Sequence, residues 1–260
     1  MSVVYKYLVL IVLIAAAAIC TLSLNRIPQD PAYHHFADNG SFLGIPNFWN
    51  VVSNFPFLII GLTGIFFVFQ KGNQKVFGQT QDRLIWNCVF AGIALVGIGS
   101  AYYHVSPSNK TLVWDRLPMT LVFMSFAAAL ISERINARSG LIFLVVLNAL
   151  GIFSVWYWWY TEMINAGDLR VYGFVQFAPM IILPAILLLF RKGPALFPDL
   201  AWVFLLYVAA KFAEKYDASI YKSLGFLSGH TIKHLAASAA VFFMLMILVR
   251  RKKACGNSNS

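Results

Sequence analysis

Charge is what this chain has least of. Asp, Glu, Lys and Arg make up only 12% of its 260 residues, against roughly 25% in a soluble domain. That shortage excludes the ordinary water-soluble classes, because too few charged side chains exist to dress a surface. Acids are scarcest, ten against twenty basic residues. Cysteine is scarce as well. Cys20, Cys88 and Cys255 lie in apolar runs or the C-terminal tail, which offers neither a disulfide framework nor a thiolate metal site. There is no internal repeat and no room for a second soluble domain. What fills the chain is apolar: 60% hydrophobic residues and a mean hydropathy of +0.71, the composition of an integral membrane protein.

Eight apolar segments can be counted, roughly 4–24, 47–70, 84–104, 115–133, 139–160, 171–190, 198–216 and 228–250. Most reach the ~20 residues needed to cross ~30 Å of hydrocarbon, and spans that must satisfy their own backbone in lipid are helices. The expected fold is an all-α polytopic membrane protein. The first segment is long for the apolar centre of a signal peptide and is read as a retained helix. The net charge of +10 points to topology rather than to nucleic acid, since the basic residues sit in short loops. With eight crossings, Lys6, Lys71, Lys75, Arg83, Arg134, Arg138, Arg191, Lys192 and Arg250 to Lys253 fall on one side, twelve in all. Arg26, Lys110, Arg170, Lys215 and Lys222 fall on the other, which is five. The positive-inside rule then predicts that both termini are cytoplasmic.

The chemistry gathers around residues 97–119. The run 84–104 delivers Ser100 and His104 to its C-terminal end, and Pro107 stops the helix because it lacks an amide proton. A new apolar run opens with Asp115. Far downstream, His230 and His234 open the last run, four residues apart and so roughly 40° apart on one helix face. With eight crossings, His104, Asp115, His230 and His234 all fall on the non-cytoplasmic side. Three histidines suit zinc at ~2.0–2.1 Å and leave its fourth position for water, whose pKa the metal lowers to about 7. Asp115 is then the candidate general base, and Ser100 the candidate donor to a developing oxyanion. Ionisable residues within membrane spans are costly and usually functional. Lys233 lies between the two histidines and reads as an interfacial lysine pointing elsewhere.

Other polar positions admit two readings. Asn50 and Asn54 share a face of the helix that follows Pro46; they either cap and anchor it or support the histidine cluster. Lys211, Glu214, Lys215 and Asp217 form either an internally paired helix end or a group that orients a ligand histidine through a carboxylate. Arg116 is a candidate structural partner for one of these acids. Trp156 to Tyr160 reads as an aromatic belt at the membrane surface. His34 and His35 read as solvated loop residues.

Phe48-Trp-Asn-Val-Val-Ser-Asn54, Ser100 and His104, Asp115 followed by Arg-Leu-Pro-Met, and His230 with His234 together resemble the alkaline ceramidase family. The resemblance covers roughly residues 38–250. It implies a seven-transmembrane-helix hydrolase core, here with one extra N-terminal helix, within a superfamily that also holds the adiponectin-type receptors. By it, residues 1–25 are the added helix or signal anchor, 26–250 the catalytic domain and 251–260 a basic cytoplasmic tail. It further implies His104, His230 and His234 as zinc ligands, Asp115 and Ser100 in catalysis, and hydrolysis of a membrane lipid, ceramide, to a sphingoid base and a fatty acid. Asn47 stands where eukaryotic members carry a calcium-binding glutamate, and only Asp38 and Asn39 lie upstream, so calcium is expected to be weak or absent. A lipid receptor that keeps zinc structurally, and an ester hydrolase, are the alternatives.

Overall fold

The computed structural model describes residues 2–191 and 197–257. Among them the regular structure is helical: α1 (Val3–Leu22), α2 (Phe48–Val52), α3 (Phe55–Phe69), α4 (Thr80–Val105), α5 (Asn109–Arg134), α6 (Ala137–Met163), α7 (Arg170–Leu189), α8 (Phe197–Lys215), α9 (Asp217–Leu224) and α10 (Gly229–Asn257). The chain is therefore an all-α, multi-pass membrane protein. Among the described residues, seven runs are long and apolar enough to cross a bilayer: α1, α2 with α3, α4, α5, α6, α7 and α10. The eighth expected segment is a helix, α8, but Asp199, Lys211, Glu214 and Lys215 leave it too charged to count by composition.

The outer faces show why lipid is the solvent. On α3, Phe55, Ile59, Leu62, Phe66 and Phe69 recur every three or four residues, all exposed. Phe57, Gly61, Gly64 and Val68 are buried on the other face. A stripe of large exposed apolar side chains is an aggregation hazard in water and ordinary in hydrocarbon.

The chain divides into two compact units. The first takes Met1–Asp30, Gly78–Val89 and Met119–Gly193. In it α1 packs along α7, with the Tyr7 and Phe190 rings 5.5 Å apart. Arg170 ties the end of α1 down: its Nη1 donates to the carbonyls of Leu22 and Leu24 at 2.9 and 2.8 Å, and its Nη2 pairs with Asp168 at 2.7 Å. The Arg170 hydrogen bond is the main cause that holds the Asp168 carboxyl below the usual range. Of the expected aromatic belt, Trp156 and Tyr160 are exposed and stacked at 5.5 Å, whereas Trp158 is fully buried. One helix face of the cluster is outside and the other is core.

The second unit takes Pro31–Phe77, Phe90–Pro118 and Pro194–Ser260 and holds every candidate site residue. Two glycines set its packing. A Cβ at Gly97 would lie 2.7 Å from the backbone nitrogen of Leu58, and one at Gly99 would collide with the carbonyl of Trp114. That carbonyl precedes Pro118 by four residues, and a proline offers it no amide. The glycines thus let α4 close on α3 and α5, which brings Ser100 beside Asp115.

Candidate metal centre

Local sequence starts and stops the helices that carry the site. Ser108 and Thr111 bond reciprocally, Thr111 N–H to Ser108 Oγ at 3.2 Å and Ser108 N–H to Thr111 Oγ1 at 3.1 Å. This capping pair starts α5 at Asn109 rather than at Asp115, which is where the apolar run begins. Asp115 is consequently two turns inside a helix and buried. At the start of α10, Ser228 Oγ accepts the Thr231 N–H at 3.1 Å and Asp217 Oδ1 accepts the His230 N–H at 2.7 Å. Two of the helix's orphan amides are thereby satisfied, and His230 and His234 are fixed one turn apart. The basic residues 251–253, expected in a tail, continue α10.

His104, His230 and His234 meet. Their candidate ligand nitrogens all lie within 4.8 Å of one another, and all three side chains are buried. Among the described residues this is the one such cluster of three or more His, Cys, Asp or Glu. The Nε2 atoms of His104 and His230 are 3.3 Å apart. Two nitrogens at that distance either share a proton or turn their lone pairs to a cation; two ligands on a tetrahedral zinc stand roughly 3.3 Å apart, given Zn–N ≈ 2.0–2.1 Å. His234 turns its Nδ1 to Ser53 Oγ at 2.8 Å. Ser53 Oγ in turn lies 3.3 Å from the carbonyl of Asn50. A hydroxyl donating to that carbonyl accepts Nδ1–H, so Nε2 is the free ligand atom of His234. Buried, convergent imidazoles fit a divalent, nitrogen-loving metal.

Ser100 and Asp115 are both buried and hydrogen-bonded to each other. Lys233, Arg116 and Glu214 lie within electrostatic range of Asp115. Asn50 supports the centre from below: its Oδ1 accepts Thr231 Oγ1–H at 2.9 Å, and its Nδ2 donates to the Asp38 carbonyl at 3.0 Å. Asn54 donates to the Asn50 carbonyl at 2.7 Å; its Nδ2 lies 3.4 Å from His234 Nδ1, a packing contact and not a hydrogen bond while Nδ1 carries the proton. Both asparagines therefore brace the cluster. Arg116 holds its guanidinium over the Tyr33 ring at 5.7 Å.

Several readings change. Lys233 is not a solvent-seeking interfacial lysine: its side chain is 12% exposed and its Nζ pairs with Glu214 at 2.6 Å. Glu214 also takes Lys211 at 2.8 Å and the Tyr33 hydroxyl at 3.2 Å, so this is a paired polar group and not a carboxylate on a histidine ring. Burial, reinforced by the Glu214 charge, raises the Tyr33 phenol well above its usual range, which keeps it a donor. Asp217 reaches the backbone of His230, not its imidazole. His35 is exposed as expected. His34 is not simply solvated: its ring nitrogens meet the Tyr103 hydroxyl and Asn109 Oδ1, each at 2.9 Å. With Asn47 it borders an open cavity of about 490 Å³. Asn47 adopts the left-handed backbone at φ 48°, which asparagine tolerates. Its amide donates to the His104 carbonyl at 2.9 Å. Asn39 is exposed, and Asp38 is buried with Oδ1 on the Gly40 N–H at 3.1 Å. Sequence reasoning missed Ser53, whose spacing of three from Asn50 was the available signal, and Phe36, for which no local signal exists.

Comparison with known proteins gives three matches. The family model described as Ceramidase matches residues 44–257. A stretch of 93 residues is 34% identical to "Multidrug efflux protein YfmO" of Bacillus subtilis (strain 168), over 30% of this chain and 24% of that protein. A stretch of 96 residues is 26% identical to "Putative alkaline ceramidase dcd3B" of Dictyostelium discoideum, over 34% of each. The chain thus spans about a quarter and a third of the lengths of these two relatives.

Proposed function

This chain belongs to the ceramidase family, and from that premise we propose that it is a zinc-dependent membrane amidase. Its substrate is ceramide or a related N-acyl lipid, cleaved to a sphingoid base and a fatty acid. The observation that carries this reading is the hydrogen-bonded Ser100–Asp115 pair, with Ser100 one turn before His104 on α4. A structural metal site needs neither residue.

His104, His230 and His234 would hold the ion. When bound, zinc supplies Lewis acidity and lowers the pKa of water to about 7. The remaining work belongs to the chain. The Asp115 carboxylate takes a proton from the attacking water and returns it to the departing amine nitrogen. Ser100 turns its hydroxyl from Asp115 to the carbonyl oxygen as negative charge develops there. Ser53 keeps His234 in the tautomer that leaves Nε2 free. We assign the catalytic domain to 26–250, place the centre near the non-cytoplasmic face with both termini cytoplasmic, and give calcium no required part. Asn47 and Asn39 bring no negative charge to an ion site with Asp38, and calcium affinity grows with ligand charge.

The test is lipid mass spectrometry of purified, zinc-loaded protein with ceramides, esters and other N-acyl lipids. Free fatty acid and sphingoid base should appear, vanish with a zinc chelator and return with zinc, while calcium removal changes little. Products from esters alone would assign ester hydrolysis. No product across the panel would favour the lipid receptor.

A further inference from the structure

The three imidazoles are not held alike. His234 has Ser53 on its outward nitrogen. His104 Nδ1 is buried without a hydrogen-bond partner. Ligating histidines ordinarily donate that second N–H to an acceptor, which fixes the ring. Something else must fix His104. Its ring lies against two aromatic rings, Tyr103 at 4.8 Å and Phe36 at 4.7 Å. Phe36 also meets the His230 ring at 4.6 Å. One side chain therefore bears on both histidines whose Nε2 atoms face each other at 3.3 Å.

Phe36 sits in a non-helical strap, but the residues around it are pinned on both sides. Before it, the Tyr33 hydroxyl donates to Glu214 and His34 bonds Tyr103 and Asn109. After it, the Ala37 N–H donates to Asp217 Oδ2 at 2.9 Å and the Asp38 carbonyl accepts from Asn50. Asp217 and Asn50 are the same residues that bond His230 N–H and Thr231 at the start of α10. The strap and the helix that carries two histidines share their anchors.

We propose that Phe36 is a positioning residue of the metal centre: its ring clamps His104 and His230 so that both Nε2 atoms turn to one point. The proposal rests on the zinc amidase reading above. Tilted ring contacts of this kind are directional, so an aliphatic side chain of similar bulk does not replace them.

The experiment uses full-length protein in nanodiscs: parent, Phe36→Leu, Phe36→Met and Phe36→Tyr, with Ser53→Ala for comparison. Three quantities are read: zinc release to a chelator, the visible spectrum of the cobalt-substituted protein, and kcat and KM on ceramide. Loss of a residue that orients a ligand weakens metal binding about 10- to 100-fold. Phe36→Leu and Phe36→Met should release zinc faster by that order, alter the cobalt spectrum and lower kcat with KM little changed. Phe36→Tyr, which keeps the ring, should restore all three. A space-filling role would leave the leucine or methionine variant like the parent in release and spectrum, and that result overturns the proposal. A parent that takes up no zinc overturns it as well. If the parent binds zinc but cleaves no lipid, the amidase reading falls, and release rates and spectra still decide the part played by Phe36.

Discussion

On the proposed reading, removing Asp115 or Ser100 should separate chemistry from metal binding. Asp115→Asn keeps the shape and cannot accept a proton; general acid–base catalysis is worth ~10²–10⁴-fold, so single-turnover amide cleavage should fall by that order. Ser100→Ala removes one oxyanion donor, worth ~10²–10³-fold. Zinc content should stay at the parental level in both, because the three imidazoles are untouched, and equal rates in all three proteins would refute these roles. The triad was legible because two of its members sit at i and i+4 and the third stands one turn after a serine. Its supports were not. Ser53 shares a helix face with Asn50, but a small hydroxyl beside two valines does not say that its partner is a histidine 181 residues away. Phe36 and Lys233 take their meaning from partners on other elements, Lys233 from Glu214 on α8, which the periodicity of one helix does not reveal.

At the scale of helices, the close approach of α4 to α5 decides whether Ser100 and Asp115 meet. Gly99→Ala would press a methyl group into the Trp114 carbonyl, a backbone atom that cannot swing aside. Overpacking of this kind costs about 1–3 kcal/mol. The thermal midpoint should drop, and turnover should fall further than zinc content does; parental values in both would show that the helices part freely. A second test concerns α1. A carboxyl whose folded pKa lies below its unfolded value adds stability that is complete above the unfolded value and is lost as pH falls through the folded one. Asp168 is such a group, with an ordinary value near 4. The tie from Arg170 to Leu22 and Leu24 should therefore hold at neutral pH and loosen from about pH 4 downward. Hydrogen exchange at residues 22–30 should rise over that range, and Asp168→Asn should raise it at pH 7. Exchange indifferent to both would remove Asp168 from the account. Most helices could be read from their apolar runs. The early start of α5 could not, because it is set by side-chain hydrogen bonds that hydropathy ignores; the break between α2 and α3 falls just before Pro56, which lacks an amide.

For the whole molecule, the twelve-to-five distribution of loop lysines and arginines predicts eight crossings with both termini in the cytoplasm. Reporters that work only in the cytoplasm should be active when fused at either terminus and silent when inserted near Asn39. A C-terminal reporter active only on the far side would overturn the topology and, with it, the placement of the metal centre. The apolar outer face of α3 and the buried polar centre already follow the logic of lipid as solvent, which composition announced. The order of the ligands along the chain has a further effect, one of timing. Synthesis runs at ~5–20 residues per second, so the 126 residues from His104 to His230 take roughly 6 to 25 seconds to add. Throughout that interval a growing chain already inserted in the membrane carries one histidine of the three. On the proposed reading the chain cannot cleave lipid until the helix that carries His230 and His234 has been made, so synthesis of α10 is the step that would switch the site on.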